Sequence, residues 1–201
     1  MKTILKIFLK NYLKFFAKIA LLIHRPLVIA IAGSTNKSFY KEEISKRLRK
    51  ARFNVRSNAK SYNTDIGLPL AILSLPSGYG NYKNWLPALS KAPLAAFAVN
   101  FPKILVLELG ISDPRDMDFL TSIIKPDISV ITNVTQRYLE SFSDMDELMD
   151  EFMCLVRNTK PGGAIILNGD NPRLRQLSKQ CDVDSFFFGA DDNAYCRLIE
   201  A

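Results

Sequence analysis

Residues 27–38 read LVIAIAGSTNKS. Six apolar residues run without a break into Gly33, and from Lys37 onward Phe39, Ile44 and Leu48 recur at helical spacing among charges. A half-solvated strand would alternate apolar and polar residues. An unbroken apolar run instead reads as a strand covered on both faces. Strand, glycine turn and helix in that order open a parallel α/β unit.

The same grammar continues along the chain. Residues 104–109 (ILVLEL), 128–132 (ISVIT) and 164–167 (AIIL) are further apolar runs, and residues 53–56, 186–188 and 196–199 have weaker β character. Helical patterns occupy residues 37–51, 66–73, 85–99 (interrupted by Pro87 and Pro93), 116–124, 143–158 and 172–179, with loops at 57–65 and 76–83. The expected fold class is α/β: a three-layer, P-loop-type sandwich with a mostly parallel sheet over residues 26–201. Ligands of such sheets bind at the carboxyl ends of the strands.

Composition narrows the function. The chain has 201 residues, 48% hydrophobic and 23% charged, which suits one globular domain with an appendage. A single histidine, His24, excludes multi-histidine metal sites and a Ser-His-Asp arrangement elsewhere. Cys154, Cys181 and Cys196 form no close pair, which points to a reducing cytoplasm rather than a disulfide scaffold. The net charge of +7 resides entirely in residues 1–40, which hold seven basic and no acidic side chains. The rest is neutral, so no nucleic-acid partner is expected.

Residues 1–25 read MKTILKIFLKNYLKFFAKIALLIHR and end at Pro26. Five lysines, every fourth residue from Lys2 to Lys18, sweep an arc of about 160° on a helix. Ile4, Leu5, Phe8, Phe15, Phe16, Ile19, Leu22 and Ile23 fall largely on the remaining face. No uncharged run is long enough to span a bilayer, and no signal-peptide pattern is present. Two readings stay open: peripheral contact with the inner face of an anionic membrane, or packing of the apolar face on the domain or a partner.

Two strand ends carry chemistry. Gly33-Ser34-Thr35-Asn36-Lys37-Ser38 approximates a phosphate-binding loop, in which backbone N–H groups and a helix N-terminus hold phosphate oxygens. Lys37 would reach the β/γ-phosphates and the Ser38 hydroxyl would bind Mg²⁺. Asn36 stands where such loops have glycine. Glu108, leaving the ILVLEL run, is a second candidate Mg²⁺ ligand; its alternatives are a helix cap or a lysine pair. The acidic group Asp144, Asp146, Glu147, Asp150 and Glu151 suits the start of a helix. Trp85 and Phe97 are expected to pack in the core, and His24 to serve a helix end.

Five segments in order resemble the ATP-binding central domain of the Mur ligases, most of all the members that add D-alanyl-D-alanine: residues 28–44, 62–73, 104–120, 125–142 and 164–171. The resemblance implies ATP and Mg²⁺ as cofactors and ATP-driven amide formation through an acyl phosphate. By position it implies Gly33, Ser34, Thr35, Asn36, Lys37, Ser38 and Asn63 at the nucleotide, Lys37 as catalytic, and Ser38 and Glu108 at the metal. It further implies a UDP-sugar peptide substrate and further domains, supplied in this case by a second chain or a longer polypeptide. The chain departs from the family at three places: Asn36 replaces a glycine, Tyr138 stands for a metal-binding histidine, and Phe152 falls at a carbamylated lysine. These departures, with the lack of counterparts to the flanking domains, open an alternative: a non-catalytic degenerate homologue acting as a membrane-surface or partner-binding scaffold. A generic phosphate-loop NTPase or kinase would explain the loop and Glu108 but not residues 62–73 or Thr132-Asn133.

Overall fold

The computed structural model describes residues 2–59, 61–78, 84–136, 141–190 and 194–197. In chain order the elements are α1 (Lys2–His24), β1 (Leu27–Ala32), α2 (Lys37–Lys50), β2 (Val55–Ser57), α3 (Gly67–Leu73), α4 (Trp85–Ala96), β3 (Ile104–Glu108), α5 (Asp116–Thr121), β4 (Ile128–Ile131), α6 (Met145–Arg157), β5 (Ala164–Asn168), α7 (Pro172–Ser178), β6 (Asp184–Gly189) and β7 (Cys196–Arg197). The strands form one seven-stranded sheet in the order β2-β3-β1-β4-β5-β6-β7. Every pairing among them is parallel.

The alternation along β1 shows why its run is apolar throughout. Val28, Ala30 and Ala32 join the larger core, which also takes residues from α1 and α3–α7. Ile29 and Ile31 join the opposite core, where Tyr40, Ile44 and Leu48 of α2 pack. Both faces of the strand are covered, so neither tolerates a polar residue. The sheet therefore lies between two helical layers.

Strand order places the site. β1 lies between β3 and β4, so the chain crosses from one side of β1 to the other. Such a reversal opens a crevice at the carboxyl edge of the sheet. Register sets Ile31 beside Glu108 and Ala32 beside Ile131. The segments following β1, β3 and β4 thus emerge side by side.

α1 packs on α3 and α4, but through a face other than the one carrying most of the large apolar residues. Leu9, Leu13, Ala17 and Ala20 are buried, whereas Ile4, Leu5, Phe8, Phe15, Leu22 and Ile23 are exposed. Of the eight predicted residues only Phe16 and Ile19 pack partly against the core. The small Ala17 and Ala20 permit close approach to α3 and α4; counting large apolar residues points to the other side.

α1 also completes α4. Pro93 lies inside α4 and has no N–H for the carbonyl of Leu89, four residues earlier. The Tyr12 hydroxyl donates to that carbonyl at 3.0 Å. At the end of α4, the His24 imidazole lies 2.9 Å from the Ala96 carbonyl and stacks on Phe101 at 4.4 Å between centroids. His24 is thus a helix-end residue, as expected. α4 stops at Ala96 rather than continuing to Val99, and Phe97 is 61% exposed rather than packed.

The acidic group caps helices. Asp144 accepts from the Glu147 N–H, and Glu147 accepts from the Ser143 N–H, a reciprocal arrangement that ties up donors at the start of α6. Glu151 is buried and accepts from the Arg115 and Met117 N–H groups at the start of α5. Burial pushes its carboxyl above the usual range, the two N–H donors opposing the shift. No group of three or more metal-ligating side chains occurs among the described residues.

Candidate functional site

The loop after β1 is built on close backbone approach. Gly33 has φ +138, and a Cβ there would lie 2.2 Å from Thr132 Oγ1. Thr132 donates to the Thr35 carbonyl at 2.6 Å, fastening the loop to the end of β4. The Ser34 N–H donates to the Asn133 carbonyl at 2.7 Å, and the Ser34 hydroxyl accepts from the Thr135 N–H at 3.0 Å. Asn171 donates to Asn133 Oδ1 and to the Val134 carbonyl, bringing in the turn after β5.

Asn36 adopts φ 60 and ψ 8, a left-handed conformation open to glycine and, among other residues, best to asparagine. The replacement of glycine thus leaves the loop backbone in place. Asn36 precedes α2 without capping it through its side chain. The first N–H groups of α2 have no acceptor within the helix, and the helix dipole favours an anion there. The Lys37 ammonium donates to the Gly33 carbonyl at 2.6 Å, across the mouth of the loop.

Beneath the loop, Glu108 collects three side chains. Its Oε2 accepts from Ser38 Oγ at 2.8 Å and pairs with Lys41 Nζ at 3.3 Å. Its Oε1 accepts from Asn63 Nδ2 at 3.0 Å. Asn58 holds the Glu108 backbone on both sides: its Nδ2 donates to the carbonyl, and its Oδ1 accepts the N–H, each at 2.9 Å. Gly110 donates to the Asn63 carbonyl at 2.8 Å, and a Cβ on Gly110 would come 2.9 Å from Asn63 Cγ. Of the alternatives for Glu108, the lysine pair is realised.

All the predicted site residues that belong to the loop converge with Glu108 and Asn63 at the carboxyl edge. Lys41, Asn58, Thr132, Asn133 and Asn171 complete the assembly and were not singled out as site residues. Lys41 sits in a charged helical segment that reads as solvated, yet it is 4% exposed. Its signal was position: one helical turn after Lys37, on the face carrying Ser45, which is also buried. Tyr40 packs its ring against Phe188, and burial, then Asp170, pushes its phenol above the usual range. Tyr138 lies outside the described residues. Phe152 is buried in the core at 1% exposure, where it can only pack.

The donor set suits a hard cation. A hydroxyl and a carboxylate, Ser38 and Glu108, meet at hydrogen-bond distance beside a helix start, and Mg²⁺ takes oxygen ligands of this kind with phosphate and water completing the shell.

Known proteins resemble this chain in sequence and in fold. The family model for the Mur ligase middle domain matches residues 31–200. A UDP-N-acetylmuramoyl-tripeptide–D-alanyl-D-alanine ligase from Bacillus subtilis is 25% identical over 166 residues, covering 83% of this chain and 31% of the relative. The ligase of the same name from Buchnera aphidicola (subsp. Baizongia pistaciae) is 28% identical over 144 residues, covering 72% of this chain and 26% of the relative. Among solved structures, the MurF ligase of Thermotoga maritima in complex with ADP superposes with a TM-score of 0.71 at 26% identity, covering 90% of this chain and 37% of that one. E. coli FolC in complex with DHPP and ADP shares the fold, with a TM-score of 0.56 at 14% identity and coverage of 88% and 46%. The chain spans about a third of the length of the ligases it matches.

Proposed function

The chain belongs to the Mur ligase family through its middle domain, and from that premise we propose that it binds ATP with Mg²⁺ and supports the phosphoryl-transfer half of an amide-forming reaction in peptidoglycan precursor synthesis. The observation carrying this reading is the cluster of Ser38, Lys41, Asn63 and Glu108 beneath the Gly33–Ser38 loop.

The roles follow from position. The N–H groups opening α2 would receive phosphate oxygens. Lys37, now on the Gly33 carbonyl, would turn its ammonium to the β/γ-phosphates and offset charge as the terminal phosphoryl leaves. Ser38 and Glu108 would hold Mg²⁺, which when bound neutralises phosphate charge. Lys41 and Asn63 would hold the Glu108 carboxylate in its orientation. The phosphoryl group would pass to a carboxylate, releasing ADP. An amine would then attack the acyl carbon, forming the amide and releasing phosphate. By analogy with the names of the relatives, the carboxylate belongs to a UDP-sugar peptide and the amine to a D-alanyl-D-alanine-like compound. Both would be held with portions beyond the matched third, on the same polypeptide or a second chain. We place the reaction in the cytoplasm, where ATP and UDP-linked compounds are available.

A non-catalytic scaffold is the second reading, favoured by Phe152: a buried phenyl ring stands at the position where the family resemblance implies a metal-supporting lysine.

Calorimetric titration with ATP, with and without Mg²⁺, tests the first reading. Binding in the micromolar range that needs Mg²⁺ and is lost in Lys37→Ala is expected. No binding at millimolar ATP would overturn it in favour of the scaffold.

A further inference from the structure

α1 has two apolar faces, and the domain uses one. Ile4 (73% exposed), Phe8 (56%), Phe15 (58%) and Leu22 (71%) lie on the outer side. At about 100° per residue they fall within about 40° of one another, opposite the buried Leu13. The stripe runs about 27 Å at about 1.5 Å per residue. Leu9, Leu13, Ala17 and Ala20 bind the middle of the helix to α3 and α4, so the stripe runs along the outside of the protein, and residues 4–8 are exposed on every side.

Charge indicates what meets this stripe. Residues 1–40 contain no acidic side chain. Lys10 and Lys14 turn toward the domain, Lys10 to Asp65 and Lys14 to the Ser122 hydroxyl. Lys6, Lys18 and Arg25 are exposed. At the C-terminal end of α1 the stripe opens into a groove of about 640 Å³ between Leu22 and Ile123. Lys18, Arg25, Lys125 and Lys160 also line it; Lys160 pairs with Asp127, and Lys125 bonds to Asn158. Cations from three separate segments therefore gather around apolar surface.

We propose that this face of α1 docks the chain on an anionic phospholipid bilayer. The stripe enters the acyl boundary, and Lys18 and Arg25, with Lys125, meet headgroup phosphates. A second copy of the chain is the poorer occupant, since pairing this face with itself would set two like-charged groups together. The helix lies on the surface rather than through it: no helix of the described residues is long and apolar enough to cross a membrane.

The test is co-sedimentation of the full chain with vesicles of phosphatidylcholine alone and of phosphatidylcholine mixed with phosphatidylglycerol. Binding to the anionic vesicles only, weakening with salt, is expected. Phe8→Ser/Phe15→Ser and Lys18→Glu/Arg25→Glu alter exposed side chains, so their thermal unfolding should match the parent. Each pair should weaken binding about tenfold or more. Absence of sedimentation with anionic vesicles would overturn the proposal. So would unchanged binding by the Phe8/Phe15 variant, or self-association in ultracentrifugation that the same variant abolishes without any lipid binding by the parent.

Discussion

Replacing Lys41 with methionine probes the interior of the site. Lys41 and Glu108 are 4% and 7% exposed, with Nζ 3.3 Å from Oε2. At an effective dielectric constant of about 20 their attraction is about 5 kcal/mol, largely offset by desolvating both ions. Removing the lysine alone loses the attraction but keeps the carboxylate buried, and such losses run to about 3–5 kcal/mol. Ser38 and Asn63 still donate to Glu108, which places Lys41→Met near the lower end, about 3 kcal/mol. With a urea dependence of about 2 kcal/mol per molar, the unfolding midpoint should fall by about 1.5 M. Lys41→Met/Glu108→Gln removes both charges and keeps an amide able to bond with Ser38 and Asn63. It should be more stable than the two single changes added together, by a coupling of about 2 kcal/mol. Strict additivity of the two substitutions in the urea cycle would refute the argument that Lys41 is held there by Glu108.

Tyr12→Phe strips the donor from the Leu89 carbonyl that Pro93 leaves unbonded. It should cost about 1 kcal/mol, or about 2–4 °C in the melting temperature, and adding Pro93→Ala should restore most of that. Gly33→Ala places a methyl group 2.2 Å from Thr132 Oγ1 at a φ of +138. Strain of about 1–3 kcal/mol should appear in denaturation, together with lost nucleotide binding in calorimetry. Asn36→Gly keeps the left-handed backbone at φ 60. Stability should change by no more than about 0.5 kcal/mol, while ATP affinity in the same titration should rise as the side chain leaves the phosphate path. Burial pushes the Cys154 and Cys181 thiols up, so their thiolate fractions at neutral pH are low. Alkylation followed by mass spectrometry should modify the exposed Cys196 ahead of both.

Much of this molecule is legible in its sequence, for physical reasons that differ by segment. β1, β3 and β4 are readable because burial on two faces leaves mostly apolar runs such as LVIAIA, the buried Ser129 of β4 being partnered by the Thr159 hydroxyl. The Gly33–Ser38 loop is readable because a strand-to-helix turn packed this closely against Thr132 restricts its residues, Gly33 above all. Lys41 was hidden because a buried lysine depends on a carboxylate 67 residues away, which no local pattern records. The packed face of α1 is not legible for a related reason: alanines contribute little hydrophobicity but allow helices to approach. The interruption expected at Pro93 does not occur because its cost is relieved from another helix, by Tyr12. Phe97 looked like a core residue, but α4 ends one residue before it and leaves the ring outside.

The pairing of Ile31 with Glu108 and of Ala32 with Ile131 has an evolutionary consequence. These registers are written in main-chain hydrogen bonds, which every non-proline residue can make. The positions of the Gly33–Ser38 loop, Glu108 and Thr132 relative to one another are therefore inherited from the sheet rather than from the side chains that would do chemistry. Lys37 and Ser38, which hold no buried charge, can be exchanged singly while the fold persists, whereas loss of Glu108 strands the buried Lys41. The chemistry of Lys37 and Ser38 can therefore be lost while the scaffold stands, which leaves the scaffold open to recruitment for a new task.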